Sequence, residues 1–153
     1  MAGLYSQIYI QVVFSVKGRQ SMISHKWEEE LYKYITGIIT EKKQKLLAIN
    51  GMPDHIHILI GMRPSCRLSD LVREIKKASN QFINDKKFTK TKFQWQEGYG
   101  AFSYSHSAFG NVITYIKNQK EHHRKTAFRE EYLNFLKKFE IEFKEEYLFE
   151  FYD

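Results

Sequence analysis

His55 and His57 flank a single apolar residue in the run Met52-Pro53-Asp54-His55-Ile56-His57-Ile58-Leu59-Ile60-Gly61. In a strand, successive side chains point to opposite faces, so the two imidazoles share one face with their Cα atoms about 6–7 Å apart. That spacing lets both hold one metal ion. Ile56, Ile58 and Ile60 then fall on the other face, where a core would sit. Asp54 belongs to the turn that precedes the strand. Some sixty residues on, the segment Asn111-Val112-Ile113-Thr114-Tyr115-Ile116-Lys117-Asn118-Gln119 reads as a helix. Tyr115 and Gln119 are four apart, one turn along one helical face. A phenol has a free pKa of about 10 and is a weak nucleophile at neutral pH. A divalent ion beside it can polarise a phosphodiester and stabilise the charge that develops there. Two imidazoles and an amide oxygen bind such an ion and add no negative charge to repel the substrate. These residues together point to a metal-assisted tyrosine nucleophile acting on nucleic acid. Each also has a plain structural role open to it: a hydrogen-bonded histidine pair, a half-buried tyrosine.

Several elements must position those groups. Residues 6–16 alternate, with Ile8, Ile10, Val12, Phe14 and Val16 on one face, and predict a strand ended by Lys17-Gly18-Arg19. Ser24 is placed to cap a helix running to Thr40 or Lys42, with the stripe Trp27, Leu31, Tyr34, Ile35 and Ile38 and the acids Glu28–Glu30 near its start. Lys45–Asn50 and His55–Ile60 pair as a hairpin around Gly51-Met52-Pro53-Asp54. Leu68 to about Asn84 is a second helix, inward at Leu71, Val72, Ile75, Ser79 and Phe82. Phe93–Trp95 and Ala101–Ser105 are short strand candidates around Glu97-Gly98-Tyr99-Gly100. Asn111 to about Lys125 is a third helix, with Val112, Ile113, Ile116 and the stem of Lys120 on its apolar side. Asn111, Tyr115, Gln119 and His122 form a separate polar stripe. Thr126 would cap a fourth helix, inward at Phe128, Tyr132, Leu136 and Phe139. The order β-α-β-β-α-β-α predicts an α+β fold, an antiparallel β-sheet with helices packed on it. The 153 residues form a single domain, 1–153, in which 126–153 are a C-terminal helix and acidic tail.

Composition narrows the partners. The chain is 42% hydrophobic and 27% charged, which suits a globular protein and not a disordered one. Cys66 is the lone cysteine, so neither an internal disulfide nor a cysteine zinc site is possible. The N-terminus alternates like a strand and reads neither as a signal peptide nor as a membrane span, which predicts a cytoplasmic protein without membrane attachment. The net charge is +6, unevenly spread: residues 1–127 carry +10 and residues 128–153 carry −4. A basic body suits a polyanion, although a solvated lysine-rich surface has the same composition. Arg73, Lys76 and Lys77 on the second helix are candidates for phosphate contacts. So are His122, Arg124 and Lys125, which close the tyrosine helix beside His123 and could equally be ordinary C-terminal capping. His106 reads as a loop residue. Tyr99 and Tyr104 are lesser candidates for the nucleophile, since neither has a matched glutamine.

Met52-Pro53-Asp54-His55-Ile56-His57, Trp95-Gln96-Glu97-Gly98-Tyr99 and Tyr115-Ile116-Lys117-Asn118-Gln119 resemble the motifs of single-tyrosine HUH transposases of the insertion-sequence 200/605 type. The resemblance covers most of the chain. It implies the ferredoxin-like HUH fold and Mg²⁺ or Mn²⁺ held by His55, His57 and Gln119. It implies Tyr115 as the catalytic nucleophile, cleaving and rejoining single-stranded DNA through a 5′-phosphotyrosine. It implies recognition of hairpins at the element's ends, and a homodimer whose sites join one subunit's histidines to the other's tyrosine helix. A domesticated or non-cleaving hairpin-binding protein of the same fold is the alternative. A nucleotide hydrolase of the histidine-triad type would need a third alternating histidine where Leu59 stands.

Overall fold

The computed structural model describes residues 3–18 and 22–152, so Arg19 of the first turn lies outside the described residues. Four strands form one sheet: β1 (Tyr9–Ser15), β2 (Lys45–Met52), β3 (His55–Gly61) and β4 (Gly100–Tyr104). Their order across the sheet is β2-β3-β1-β4, and every pair is antiparallel. Helices α1 (Glu28–Glu41) and α2 (Leu68–Asp85) pack against each other. Both cover the face carrying Val12, Phe14, Ile56, Ile58 and Ile60, and these side chains, all fully buried, make the main core. The opposite face carries Gln11, Val13 and Ser15 of β1 and His55, His57 and Leu59 of β3, where the register sets Val13 beside His57 and Ser15 beside His55. Helices α3 (Phe109–Lys117), α4 (Gln119–His122) and α5 (Phe128–Lys138) follow β4. Val112 and Ile116 of α3 bury against Ala48 and Leu59 on this second face.

The alternation of β1 and β3 and the predicted α+β order hold in the structure. Local details differ, each for a physical reason. The first helix begins at Glu28, because the Ser24 hydroxyl accepts the Lys26 N–H (3.1 Å) and caps a preceding turn instead. Tyr32 is buried on that helix, while Tyr34 lies on its rim and stacks on Phe82 at 4.1 Å. Phe93–Trp95 is no strand; Trp95 makes one bridge to Val16, and its indole N–H donates to Ser79 Oγ (3.0 Å). The predicted third helix is broken at Asn118. Asn50 Nδ2 on β2 donates to the Lys117 carbonyl (2.9 Å), an acceptor a continuous helix would give to residue 121. Lys120 is exposed, and its ammonium reaches Glu28 (3.1 Å) and the Gly51 carbonyl (3.2 Å). The last helix is capped by Ala127 rather than Thr126 and has no side-chain cap. After α5 the tail returns to the sheet, where the Gln96 amide exchanges two hydrogen bonds with the Glu150 backbone (2.7 and 2.8 Å).

Gly51 sits where the hairpin presses closest. A Cβ there would lie 2.3 Å from the His55 carbonyl oxygen, which is backbone and cannot swing aside. Gly51→Ala is expected to lower stability by about 1–3 kcal/mol, as overpacking does, and to shift His55. Denaturant melts and the His55 ring resonances report the two effects; an unchanged midpoint would show that the hairpin relaxes freely.

Candidate active site

The second face of the sheet gathers the chemistry. His55 and His57 are both fully buried. His55 Nδ1 donates to Asp54 Oδ1 (2.7 Å), and His57 Nδ1 donates to Gln11 Oε1 (2.7 Å). The Gln11 amide is itself oriented, because its Nε2 donates to the Tyr104 hydroxyl (2.8 Å). With Nδ1 occupied in each ring, both Nε2 atoms aim at one point, which is the arrangement that outer partners impose on metal-binding histidines. Asp54 therefore does more than form a turn. Its carboxylate orients His55, while its backbone carbonyl accepts from Ser15 Oγ (2.8 Å) and the Val16 N–H (2.8 Å).

The break at Asn118 and the helices around it bring further groups to the same point. Gln119 is fully buried, with Oε1 3.4 Å from His55 Nε2. Glu131, buried on α5, places Oε1 2.9 Å from His57 Nε2, 3.3 Å from His55 Nε2 and 3.1 Å from His123 Nε2. Its Oε2 accepts from the Tyr115 hydroxyl and from Gln119 Nε2 (3.2 Å). His122 Nε2 lies 3.0 Å from the Tyr115 hydroxyl. Phe128 covers the cluster, stacked on the His55 ring at 3.8 Å and nearly parallel to it. A cavity of about 490 Å³ is lined by Tyr115 together with Gln11, Asn111, Asn134 and Lys138.

The charges follow from these contacts. Burial works against ionisation of Glu131, yet His57, His123 and His55 hold its carboxyl far below the usual carboxylate range. Burial also opposes protonation of His55, but Asp54 and Glu131 outweigh it and the ring goes up; for His57 burial wins and the ring goes down. Burial opposes ionisation of Asp54 as well, but the hydrogen bond from His55 keeps its carboxyl below its ordinary value. Burial, then the Glu131 carboxylate, push the Tyr115 hydroxyl well above its ordinary value, so Tyr115 is held as a neutral phenol that donates its proton. His55, His57, His123 and Glu131 offer donor atoms all within 4.8 Å of one another, a set that fits a divalent ion.

The family model described as "Transposase IS200 like" matches residues 4–119, which include the histidine pair, the tyrosine and the glutamine. The chain belongs to the IS200-like transposase family. The ISDra2 transposase TnpA of Deinococcus radiodurans is 21% identical over 124 residues, covering 78% of this chain and 89% of that protein. Among solved structures, a Deinococcus radiodurans transposase superposes with a TM-score of 0.63 at 22% identity, over 78% of this chain and 95% of that one. A REP-associated tyrosine transposase bound to a REP hairpin superposes at 0.59 and 17% identity, over 80% and 73% of the two chains. The α+β fold is that of these neighbours.

In this transposase the groups expected to act together, His55, His57, Tyr115 and Gln119, converge within a single chain. The tyrosine helix lies on its own sheet, so the Tyr115 hydroxyl and the histidines meet on Glu131 within one chain. The basic candidates divide. His122 joins the site. Arg124 and Lys125 are exposed at its rim, Arg124 facing Glu121 at 3.5 Å. Arg73, Lys76 and Lys77 lie on α2, across the sheet from the histidines. Arg73 pairs with Asp70 (2.8 Å), and Lys77 is exposed. Lys76 donates to the Gln96 and Gly98 carbonyls (2.6 and 2.8 Å), so its ammonium fastens the 96–98 turn. His106 stays on a short 3-10 turn, stacked on Phe109. Gln11, His123 and Glu131 are site residues that the sequence reading did not place there. One signal for Glu131 existed: it falls between Phe128 and Tyr132 on the apolar stripe of its helix, where an unpartnered carboxylate would not be stable.

Proposed function

We propose that this transposase cleaves and rejoins single-stranded DNA through a covalent 5′-phosphotyrosine on Tyr115, and so mobilises an insertion sequence. The observation that carries the reading is the convergence of the Tyr115 hydroxyl, the Gln119 amide and both histidine Nε2 atoms on the Glu131 carboxylate. His55, His57 and Gln119 would hold Mg²⁺ or Mn²⁺, which supplies charge stabilisation to the scissile phosphate when bound. The buried histidines are set by Asp54 and Gln11 before any substrate arrives, which limits reorganisation during reaction. Tyr115 Oη forms a bond to phosphorus as the bond from phosphorus to the 3′-oxygen breaks. One strand is released with a 3′-hydroxyl and the other stays on the tyrosine as its 5′-phosphate. The phosphodiester energy is kept in that bond, so a different 3′-hydroxyl can attack it and rejoin.

The basic body of the chain suits the DNA backbone, with Arg124 and Lys125 nearest the site and Arg73 and Lys77 on the far face as a second contact region. The hairpin carried by the REP-associated neighbour supports DNA hairpins as this chain's recognition signal too. We assign the protein to the cytoplasm, as a homodimer in which each subunit supplies its own catalytic set. No helix of the described residues is long and apolar enough to cross a membrane.

Mixing the protein with each strand of the DNA flanking its own gene tests the reading. A protein–DNA adduct that survives denaturing gels is expected on one single strand with Mn²⁺ or Mg²⁺, and none with EDTA or with duplex. Hairpin binding without an adduct under any divalent ion would point to the non-cleaving alternative.

A further inference from the structure

The match to the family model ends at Gln119, and the donors that complete the cluster lie after it. His123 follows α4 and Glu131 lies on α5, yet both reach the histidines of β3. We propose that the resting site is a three-histidine, one-carboxylate metal centre, with His123 and Glu131 as ligands beside His55 and His57. It then favours a first-row ion that accepts imidazole nitrogen, of the Mn²⁺, Co²⁺ or Zn²⁺ class, over Mg²⁺, and holds it before DNA arrives. This rests on the metal-assisted reading above, puts His123 and Glu131 in the resting shell in place of Gln119, and narrows the kind of ion.

Three observations carry it. First, the Nε2 atoms of His55, His57 and His123 lie 3.3, 2.9 and 3.1 Å from one carboxylate oxygen of Glu131. Donors about 2.0–2.1 Å from a four-coordinate ion stand about 3.3 Å from one another, so these separations are near those of a ligand shell. Second, His55 and His57 spend their Nδ1 hydrogens on Asp54 and Gln11. Their Nε2 atoms are therefore the ring nitrogens left to meet Glu131, and a proton on an imidazole or a cation among the donors supplies the positive charge this contact needs. One cation answers all the donors at once. Third, the donor chemistry is selective. Mg²⁺ takes oxygen ligands in a near-ideal octahedron and keeps several of its waters, whereas imidazole nitrogen suits later first-row ions. His122 stays outside the shell, 3.6 Å from the other Glu131 oxygen and turned to the Tyr115 hydroxyl. Glu131 thereby links the ion to the nucleophile, one oxygen among the imidazoles and the other on Tyr115.

Co²⁺ absorption provides a readout independent of cleavage. The full chain is stripped with EDTA, dialysed and titrated with Co²⁺ without DNA, as wild type, His123→Ala, Glu131→Gln and His57→Ala, with circular dichroism to confirm folding. The wild type is expected to develop the visible bands of a low-coordinate Co²⁺ site that a large excess of Mg²⁺ does not bleach. His123→Ala and Glu131→Gln are each expected to bind at least about tenfold more weakly, since even outer partners of a ligand cost that much. His123→Gln replaces the alanine variant should that one fail to fold. Wild-type affinity in both the His123 and Glu131 variants, with binding lost in His57→Ala, would overturn the proposal and leave the metal-assisted reading standing. Bleaching by Mg²⁺ would overturn the selectivity. No Co²⁺ binding by the wild type would remove both.

Discussion

Tyr115→Phe is expected to form no covalent adduct with single-stranded DNA and to bind that DNA as the wild type does. The change removes one oxygen and leaves the ring, whose edge meets Phe135 at 5.9 Å and His57 at 6.1 Å between centroids. The fold and the DNA surface therefore stay, while the atom that would bond to phosphorus is gone. No hydroxyl of the site replaces it in place: Tyr104, on β4, accepts from Gln11, and burial pushes its pKa up to about 12. The loss should reach at least about 10³-fold, the scale seen when a covalent nucleophile is deleted. Adduct yield on a denaturing gel measures it, with a mobility shift on the same DNA as the binding control. Adduct retained by the variant would remove Tyr115 from the reaction and make Tyr104 the first candidate.

Phe14→Ala is expected to cost about 3–5 kcal/mol, the range for deleting a buried aromatic ring. Phe14 is fully buried between β1 and the two long helices and meets Trp95 edge-on at 4.7 Å, with the Lys76 ammonium 5.5 Å from its ring centre. Against a total stability of about 5–15 kcal/mol for an ordinary domain, that is a large share. Urea unfolding should show a lower midpoint at an unchanged slope. The catalytic consequence should be indirect. Gln11 and Val13 leave β1 on the other face, so the molecules that remain folded should keep their adduct yield. A loss below about 1 kcal/mol would mean that the core closes over the gap.

How far the sequence revealed this molecule depends on the range of each signal. The alternation in β1 and β3 is local and strong, and it placed both the isoleucine core and the histidine face. The four-residue spacing of Tyr115 and Gln119 was equally local. The break at Asn118 was not, because it depends on Asn50, sixty-seven residues away, taking a carbonyl from the helix. Lys76 read as a free cation on a helix surface, yet its partners are two carbonyls of a turn about twenty residues on. His123 looked like one member of a cationic helix end. An acid such as Glu131 near the start of a helix is ordinary, since the dipole favours one there. Only tertiary packing shows that the two meet, and that three imidazoles surround one carboxylate.

β3 has no idle face. Its isoleucines are the floor of one compartment and its histidines the ceiling of another, and a two-residue period keeps the two sets apart. Losing or gaining one residue in the Pro53-Asp54 turn would slide the strand by half that period against its neighbours. The imidazoles would then enter a dry hydrocarbon interior, and the isoleucines would stand where the tyrosine expects its partners. A substitution along this strand damages one compartment; a change in its length exchanges the two. The heritable tolerance of this segment is therefore for side-chain replacement and not for insertion or deletion.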